Sequence, residues 1–143
     1  EMSASLVGSE MCIRDSIPFD YRHVHPSSQT EEEGARIMND ILKEEDPPTA
    51  IFCANDCTAL GVLRSLNKCR RKNYLPSVIA IDNIRKSAKT SPMLTTIDIP
   101  KQELAHFALL LLLDQQKKAH KECVRIELPC RLIERESCTY APC

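Results

Sequence analysis

The stretch that decides the fold is PTAIFCANDCTALGVLRSL, residues 48–66, together with the later run VIAI, residues 78–81. The run TAIFCA, residues 49–54, is continuously apolar and rich in β-formers, which is typical of a strand covered on both faces in a parallel sheet. Between the two runs, apolar residues recur at helical spacing, at Ala59, Leu60, Leu63 and Leu66. The pattern predicts a strand, a helix and a second strand joined by a right-handed crossover, so Ile51 and Ile79 should lie on adjacent parallel strands.

Two further helices are predicted on either side of this unit. Thr30 and Glu33 have the spacing of a capping box, and the apolar face behind them predicts a helix over residues 31–43 that ends before residues 46–48. Pro100 suits the first position of another helix, which is apolar around almost its whole circumference. Such a helix is usually buried in a larger assembly, and both a subunit interface and ordinary core packing would explain it.

The carboxy-terminal part of the chain alternates in polarity. Apolar and charged residues alternate over residues 124–128, and the apolar residues 132–133 follow Pro129. This pattern predicts one or two closing strands, interrupted at the proline. The fold class predicted from the whole pattern is α/β with a parallel, doubly wound sheet.

Composition excludes several protein classes. The 143 residues are 43% apolar with a net charge of -1, which is ordinary for a globular domain and gives no electrostatic footprint for nucleic acid. The longest apolar run, residues 107–113, is far shorter than the roughly 20 residues of a membrane helix, so no membrane partner is expected. The dense basic cluster is interpreted as a solvated loop; it consists of Lys68, Arg70, Arg71 and Lys72.

The eight cysteines are interpreted as thiols of a reducing cytoplasm rather than as a disulfide framework. Cys53 lies in an apolar, strand-like run, three residues separate it from Cys57, and no Cys-x-x-Cys pair occurs in the sequence. Neither a redox pair nor a zinc site is therefore expected. His23 and His25 have no further ligands at a recognisable spacing and are interpreted as loop histidines. No metal and no cofactor is expected.

The first sixteen residues require a separate interpretation. LVGSEMCIRDS, residues 6–16, matches the conceptual translation of a common sequencing-library transposon adapter, and Ser5 fits the adapter bases before it. We therefore interpret residues 1–16 as non-native, adapter-derived sequence that makes no packed contact with the domain, which leaves residues 17–143 as evolved protein. A native amino-terminal arm would require an eleven-residue coincidence.

Polar residues follow both apolar strands, at Asn55-Asp56 and at Asp82-Asn83. In doubly wound sheets, ligands bind outside the carboxyl ends of the strands. An amide and a carboxylate together suit the hydroxyls of a sugar or the edge of a purine. We interpret Asn55 and Asp82 as ligand-binding residues and Asp56 as a helix cap. The structural alternative for Asp82 and Asn83 is that they only shape a turn.

Four segments, in order along the chain, resemble the effector-sensing domain of lac-repressor and galactose-repressor family transcription regulators. Residues 48–66 resemble the family's strand, Asn-Asp pair and Ala-Leu-Gly helix start, and VIAIDNI, residues 78–84, resembles the strand that ends in an effector-contacting aspartate. SPMLTTIDIPKQELAHFALLLLLD, residues 91–114, resembles the family's Pro-x-Leu-Thr-Thr segment with its following helix. LPCRLIERESC, residues 128–138, resembles the closing strand and the Arg-Glu-Ser ending.

Two departures from the family pattern lie close to Asp82. The connection RRKNYLPS, residues 70–77, lacks the usual Pro-x-Asp-Ile entry to the strand. Ala80 stands where many relatives have glycine. The alignment is therefore least constrained just before Asp82.

The resemblance implies a type I periplasmic-binding-protein-like fold that is incomplete in this chain. The effector-gripping arginine, the aromatic wall and the amino-terminal helix-turn-helix of the family would all lie upstream of residue 17. The resemblance further implies that Asn55 and Asp82 bind a small-molecule effector, a sugar with a purine as the alternative. It also implies a cytoplasmic homodimer that contacts operator DNA only through the missing amino-terminal domain.

Two other functional classes share this architecture. An extracytoplasmic sugar-binding protein of a transport system is the alternative, and the Arg-Glu-Ser ending and the cysteines favour the regulator. An enzyme is not expected, because the sequence has no Gly-rich phosphate loop, nucleophile elbow or metal-ligand cluster.

Overall fold

The structure, a computed structural model, describes residues 20–69, 74–117 and 122–139. The main elements, in chain order, are helix α1 (Glu31–Ile41), strand β1 (Ala50–Phe52), helix α2 (Asp56–Lys68), strand β2 (Ser77–Ile81), strand β3 (Thr95–Asp98), helix α3 (Lys101–Gln116) and strand β4 (Arg131–Ile133). Short 3-10 turns lie at Tyr21–His23 and Ser87–Lys89. Residues 1–16 and residues 70–72 of the basic cluster lie outside the described residues, so the predictions for them are not tested.

The four strands form one sheet in the order β1-β2-β3-β4. β1 pairs parallel to β2 and β2 parallel to β3, whereas β3 and β4 are antiparallel. Ile51 lies opposite Val78, and Phe52 lies opposite Ile79. The prediction that Ile51 and Ile79 lie on adjacent parallel strands is confirmed, and so is the α/β class with a mostly parallel open sheet.

Two strand predictions were wrong in part. β1 spans three residues instead of residues 49–54 and lies at the edge of the sheet, and Phe52 is 63% exposed, so the strand is not covered on both faces. The alternating residues 124–128 form no strand within the described range 122–139. The described part of the chain supplies no partner strand for their backbone groups, and a strand without a partner is not stable.

Helix α1 begins where the capping pattern predicts. The Thr30 hydroxyl accepts a hydrogen bond from the backbone N–H of Glu33 at 3.2 Å. The Glu33 carboxylate pairs with Arg36 at 2.7 Å instead of with the Thr30 N–H, so only half of the capping box forms. The helix ends at Ile41, two residues earlier than the predicted residue 43.

Helices α1 and α2 contact each other backbone to backbone at two glycines. A Cβ atom at Gly34 would lie 2.1 Å from the carbonyl oxygen of Thr58, and one at Gly61 would lie 1.9 Å from the carbonyl oxygen of Glu31. No side chain fits at such distances, so both positions require glycine. The close contact places the amino end of α2 against α1.

The core lies between these two helices and one face of the sheet, and its buried members are Met38, Ile41, Cys53, Ala59, Val62, Leu63, Val78, Ala80 and Leu94. Apolar burial at about 25 cal/mol per Å² is the main stabilising contribution to such a cluster. Burial raises the pKa of the Cys53 thiol to about 12, and the charge of Asp56 adds to the effect. The predicted apolar face of α2 is therefore confirmed as core.

Helix α3 has a different environment. It begins at Lys101 with Pro100 as its N-cap, one residue from the position predicted for the proline. None of its residues is buried in the described part of the chain, and five of its leucines are between 44% and 56% exposed: Leu104, Leu109, Leu110, Leu112 and Leu113. Among the described residues, no helix combines the length and apolarity that crossing a bilayer requires.

Candidate functional site

The carboxyl ends of the three parallel strands meet at one edge of the sheet. Asn55 follows β1, Asp82 follows β2, and Asp98 closes β3. Because β1 and β2 are adjacent and parallel, the structure brings Asn55 and Asp82 to the same edge, as the crossover pattern predicts. This edge is the candidate functional site.

Asn55 is the N-cap of helix α2. Its side-chain oxygen accepts hydrogen bonds from the backbone N–H and the hydroxyl of Thr58, at 2.9 and 2.8 Å. Its amide nitrogen donates to the carbonyl oxygen of Gln29 at 3.1 Å. The interpretation of Asp56 as the cap was wrong, because the helix begins at Asp56 itself, one residue earlier than that role requires. Asn55 is held rigidly and retains one amide hydrogen for a ligand.

Asp56 is fully buried beneath the site. One carboxylate oxygen accepts from the Thr96 hydroxyl at 2.5 Å, and the other accepts from the Ser87 hydroxyl at 2.5 Å and from the Ile84 backbone N–H at 2.9 Å. A buried carboxylate is tolerated only when such bonds replace its hydration. Asp56 therefore joins the start of α2 to the loop after β2 and to β3.

Asp82 has an unusual backbone conformation, with a φ of 120°. Its N–H donates to the carbonyl oxygen of Ile97 at 2.9 Å, and its own carbonyl oxygen accepts a hydrogen bond from the Lys101 ammonium group. Burial raises the pKa of the Asp82 carboxyl, and the charge of Asp56 raises it further, whereas Lys101 opposes both. Within the described ranges, no group donates a hydrogen bond to this carboxylate.

Asn83 is the most extensively bonded residue of this turn. Its N–H donates to the Thr96 hydroxyl at 3.2 Å, and its side-chain nitrogen donates to a carboxylate oxygen of Asp98 at 3.0 Å. Its side-chain oxygen accepts from the Arg135 guanidinium at 2.6 Å. Asn83 has a φ of 48°, in the left-handed region that asparagine visits readily.

As far as the described residues show, the site therefore offers one carboxylate that accepts no hydrogen bond, one amide with a hydrogen to donate, and a nearby ammonium group. Such a set can bind the hydroxyls or N–H groups of a small polar molecule. In the described residues, no cluster of His, Cys, Asp and Glu could hold a metal ion, and the six cysteines of those ranges form no disulfide. The described part of the chain also has an open depression beside α2, which is lined by Leu60, Leu63 and Lys86 among others but by neither Asn55 nor Asp82.

Sequence reasoning missed Asp56, Arg135 and Lys101 as parts of this site. Asp56 binds donors that lie 28 to 40 residues further along the chain, and Arg135 lies 52 residues from Asn83. No local pattern records such distant partners. For Lys101 there was one usable signal, its position at the first residue of a helix that follows a parallel strand.

Comparison with known families assigns most of the chain to one domain type. Residues 8–138 match the family described as periplasmic binding protein-like domain. The match includes residues 8–16, which we interpreted as adapter-derived, and that origin stays a prediction.

Curated relatives of the chain are transcriptional repressors. The chain is 35% identical over 128 residues to the HTH-type transcriptional repressor PurR of Photorhabdus laumondii, and the aligned region covers 89% of this chain and 38% of the relative. It is 38% identical over 112 residues to PurR of Klebsiella pneumoniae, with coverage of 78% and 33%. The chain thus spans little more than a third of the length of these relatives.

Solved structures agree with this assignment. A LacI transcriptional regulator of Bacillus cereus subsp. cytotoxis superimposes with a TM-score of 0.82 at 26% identity, over 92% of this chain and 47% of that one. A LacI family regulator of Enterococcus faecium with bound ribose gives a TM-score of 0.73 at 30% identity, over 90% and 48%. The CelR–cellobiose complex gives 0.78 at 25% identity, over 90% and 39%. The chain belongs to the periplasmic binding protein-like domain family, as the sensor-domain type of the lac-repressor and galactose-repressor family of transcription regulators.

Proposed function

We propose that this chain is the effector-sensing part of a bacterial DNA-binding transcription regulator. A sugar binds at the sheet edge formed by Asn55 and Asp82, and its binding is coupled to operator binding by DNA-binding heads that lie outside this chain. The intact regulator works as a cytoplasmic homodimer and catalyses no reaction.

The observation that carries the proposal is the Asp82 carboxylate. It lies at the carboxyl edge of a parallel sheet, where ligands of doubly wound folds bind, and no described group donates a hydrogen bond to it. A carboxylate that has lost part of its hydration without gaining partners is a good acceptor for ligand hydroxyls, because those bonds replace the missing ones.

Two of the solved relatives support a sugar as the effector. The Enterococcus faecium regulator was solved with ribose, and CelR was solved with cellobiose. A purine remains the alternative, because an amide and a carboxylate can also bind its polar edge. The transport-protein alternative lacks comparable support, since the curated relatives described above are repressors.

The test is a titration of the intact regulator, the protein that joins this segment to its other subdomain and its DNA-binding heads. We expect Asp82→Ala to weaken effector binding by tens to hundreds of times, equivalent to roughly 2 to 3 kcal/mol, because ligand hydroxyls then lose their acceptor. Isothermal titration calorimetry with a panel of pentoses, hexoses, disaccharides and purine bases, beginning with D-ribose, measures the change. Operator binding should be unaffected.

Asp46→Ala is the matched control. Asp46 is an exposed aspartate that precedes β1, so it lies towards the amino ends of the parallel strands, away from the candidate site. Its removal should leave effector affinity unchanged. Asp82→Asn separates the two roles of Asp82, because a residue that only shapes the turn would bind effector normally as asparagine. Unchanged affinity in Asp82→Ala would end the proposal.

A further inference from the structure

Two consecutive residues at the candidate site have positive φ angles. In the described ranges, three residues other than glycine do so: Gln29 at 62°, Asp82 at 120° and Asn83 at 48°. Asparagine visits the left-handed region readily, because its short amide can hydrogen-bond nearby groups. A φ of 120° lies beyond that small region and costs free energy at any residue with a side chain. Asp82 is therefore the strained member of the pair.

The neighbouring Asn83 has the anchors that hold this turn. Its amide bonds Asp98 of β3 on one side and Arg135, after β4, on the other. Arg135 is fixed in turn by a second guanidinium bond, to the carbonyl oxygen of Leu94 at 2.7 Å. The anchors of the turn thus come from β3 and from the segment after β4.

The Asp82 carboxylate does not help to hold the turn. Within the described residues, the hydrogen bonds of Asp82 involve only its backbone N–H and carbonyl oxygen. The negative charge of Asp56 disfavours the ionised form of the Asp82 carboxyl and so raises its pKa. A sequence under selection for stability alone would place glycine at this φ, since glycine has no Cβ to clash and no charge to desolvate. Aspartate at this position therefore lowers stability.

We propose that Asn83 is the positioning residue of the site: anchored by Asp98 and Arg135, it holds Asp82 in an unfavourable backbone conformation that keeps the Asp82 carboxylate without a hydrogen-bond donor among the described residues. This inference rests on the proposed function, because the unpartnered carboxylate is the group that would accept hydrogen bonds from the effector. The strain at Asp82 is retained for binding. The turn divides two roles between adjacent residues, with structure assigned to Asn83 and recognition to Asp82.

The test is a double-mutant cycle in the intact regulator, with Asp82→Asn, Asn83→Gly and the double variant. Asn83→Gly permits the left-handed conformation but removes the amide anchors. The readout is the urea concentration at which peptides from β2 lose protection against hydrogen exchange. We expect Asp82→Asn to raise that midpoint when Asn83 is present. In the Asn83→Gly variant, Asp82→Asn should leave the midpoint unchanged, because the released turn lets the Asp82 carboxylate reach water. If Asn83 were only structural, the two effects would add.

Two further variants keep the test decisive. Asp82→Gly should shift the opening equilibrium of β2 towards the closed form by about five- to thirtyfold, since it removes both strain and charge, and Asp82→Ala should give less because it keeps the Cβ atom. Arg135→Met removes one anchor without altering the turn residues and should also abolish the gain from Asp82→Asn. Additive effects in both backgrounds, or an Asp82→Gly variant no more stable than Asp82→Ala, would overturn the proposal.

None of these measurements uses an effector, so their outcome does not depend on whether the proposed function is correct. Coupling between Asp82 and Asn83 without effector binding at Asp82 would reject the sensor site. Loss of effector binding in Asp82→Ala with additive stability effects would reject Asn83 as its positioning residue and leave the sensor site intact.

Discussion

Helices α2 and α3 both follow parallel strands, yet their environments are opposite. α2 buries eight of its 13 residues, and α3 buries none of its 16, although α3 has the more continuous run of leucines. Ala59, Val62 and Leu63 of α2 pack in the core with residues of α1 and the sheet, whereas the described part of the chain supplies no such surface for α3. Hydrophobicity shows that a helix needs a partner, and only the rest of the assembly determines whether it has one.

The exposed leucines of α3 indicate a surface that another part of the proposed regulator covers. Contiguous exposed apolar surface is uncommon on soluble monomers and marks surfaces that something else covers. We expect the remaining subdomain of an intact regulator, or its second subunit, to cover α3.

The largest expected effect is a loss of stability on substitution in the first turn of α2, with no matching loss in the first turn of α3. Asp56→Ala, in the first turn of α2, leaves the Thr96 and Ser87 hydroxyls and the Ile84 N–H without their acceptor in a buried site. We expect a loss of about 3 to 5 kcal/mol in the free energy of unfolding, measured by urea denaturation. Glu103→Ala, in the exposed first turn of α3, is the control and should change it by less than about 0.5 kcal/mol. Equal losses would contradict the account of Asp56.

The next effect compares two leucines in the 143-residue chain. Leu63 is 3% exposed and Leu110 is 48% exposed. We expect Leu63→Ala to cost about 2 to 5 kcal/mol, because it leaves a cavity in the core, and Leu110→Ala to cost less than about 0.5 kcal/mol. In the intact regulator the cost of Leu110→Ala should rise towards that of Leu63→Ala if α3 is covered there. A Leu110→Ala variant that is equally mild in both proteins would show that α3 stays exposed.

The smallest expected effect is the pH dependence that Asp82 adds. Its folded pKa is raised, so the native state favours the protonated carboxyl and stability falls as the pH rises from about 4, the unfolded value, through the folded pKa. The destabilising contribution is complete once the pH lies above the folded pKa. Asp82→Asn should therefore be more stable than wild type at pH 7, and the gain should shrink as the pH approaches 4.

Thermal unfolding at several pH values measures this dependence. Glu103→Gln on α3 is the matched control and should show no such trend. A gain from Asp82→Asn that is the same at pH 7 and near pH 4 would show that the carboxylate is not destabilised by its surroundings.

Local periodicity was sufficient to predict α1, α2, β1 and β2, but it did not predict β3. Apolar spacing placed α2 and the parallel pair β1 and β2 correctly, because both contact surfaces lie within one crossover unit. The same reasoning was wrong for residues 124–128, whose alternation describes one face of a strand but cannot supply the neighbour that a strand needs. Local periodicity also could not predict the hydrogen bonds of Asp56, since they join residues from separate elements.

The sequence was sufficient to predict where the candidate site lies, but not how its residues are held. Strand order placed Asn55 and Asp82 at one edge, but the capping role was given to Asp56 because a helix start is uncertain by a residue or two from sequence. The positive φ of Asn83 has a sequence signal, since asparagine favours turns. The φ of 120° at Asp82 has no such signal, because it lies outside the small left-handed region that aspartate visits readily.

The buried thiol of Cys53 is a built-in probe for opening of the core. With a pKa of about 12, the Cys53 thiol is almost never ionised at neutral pH, and only the thiolate reacts with alkylating agents. Cys57, four residues later on the first turn of α2, is exposed and accessible to the same reagent. The ratio of their modification rates therefore reports how often α2 separates from the sheet, without any engineered label.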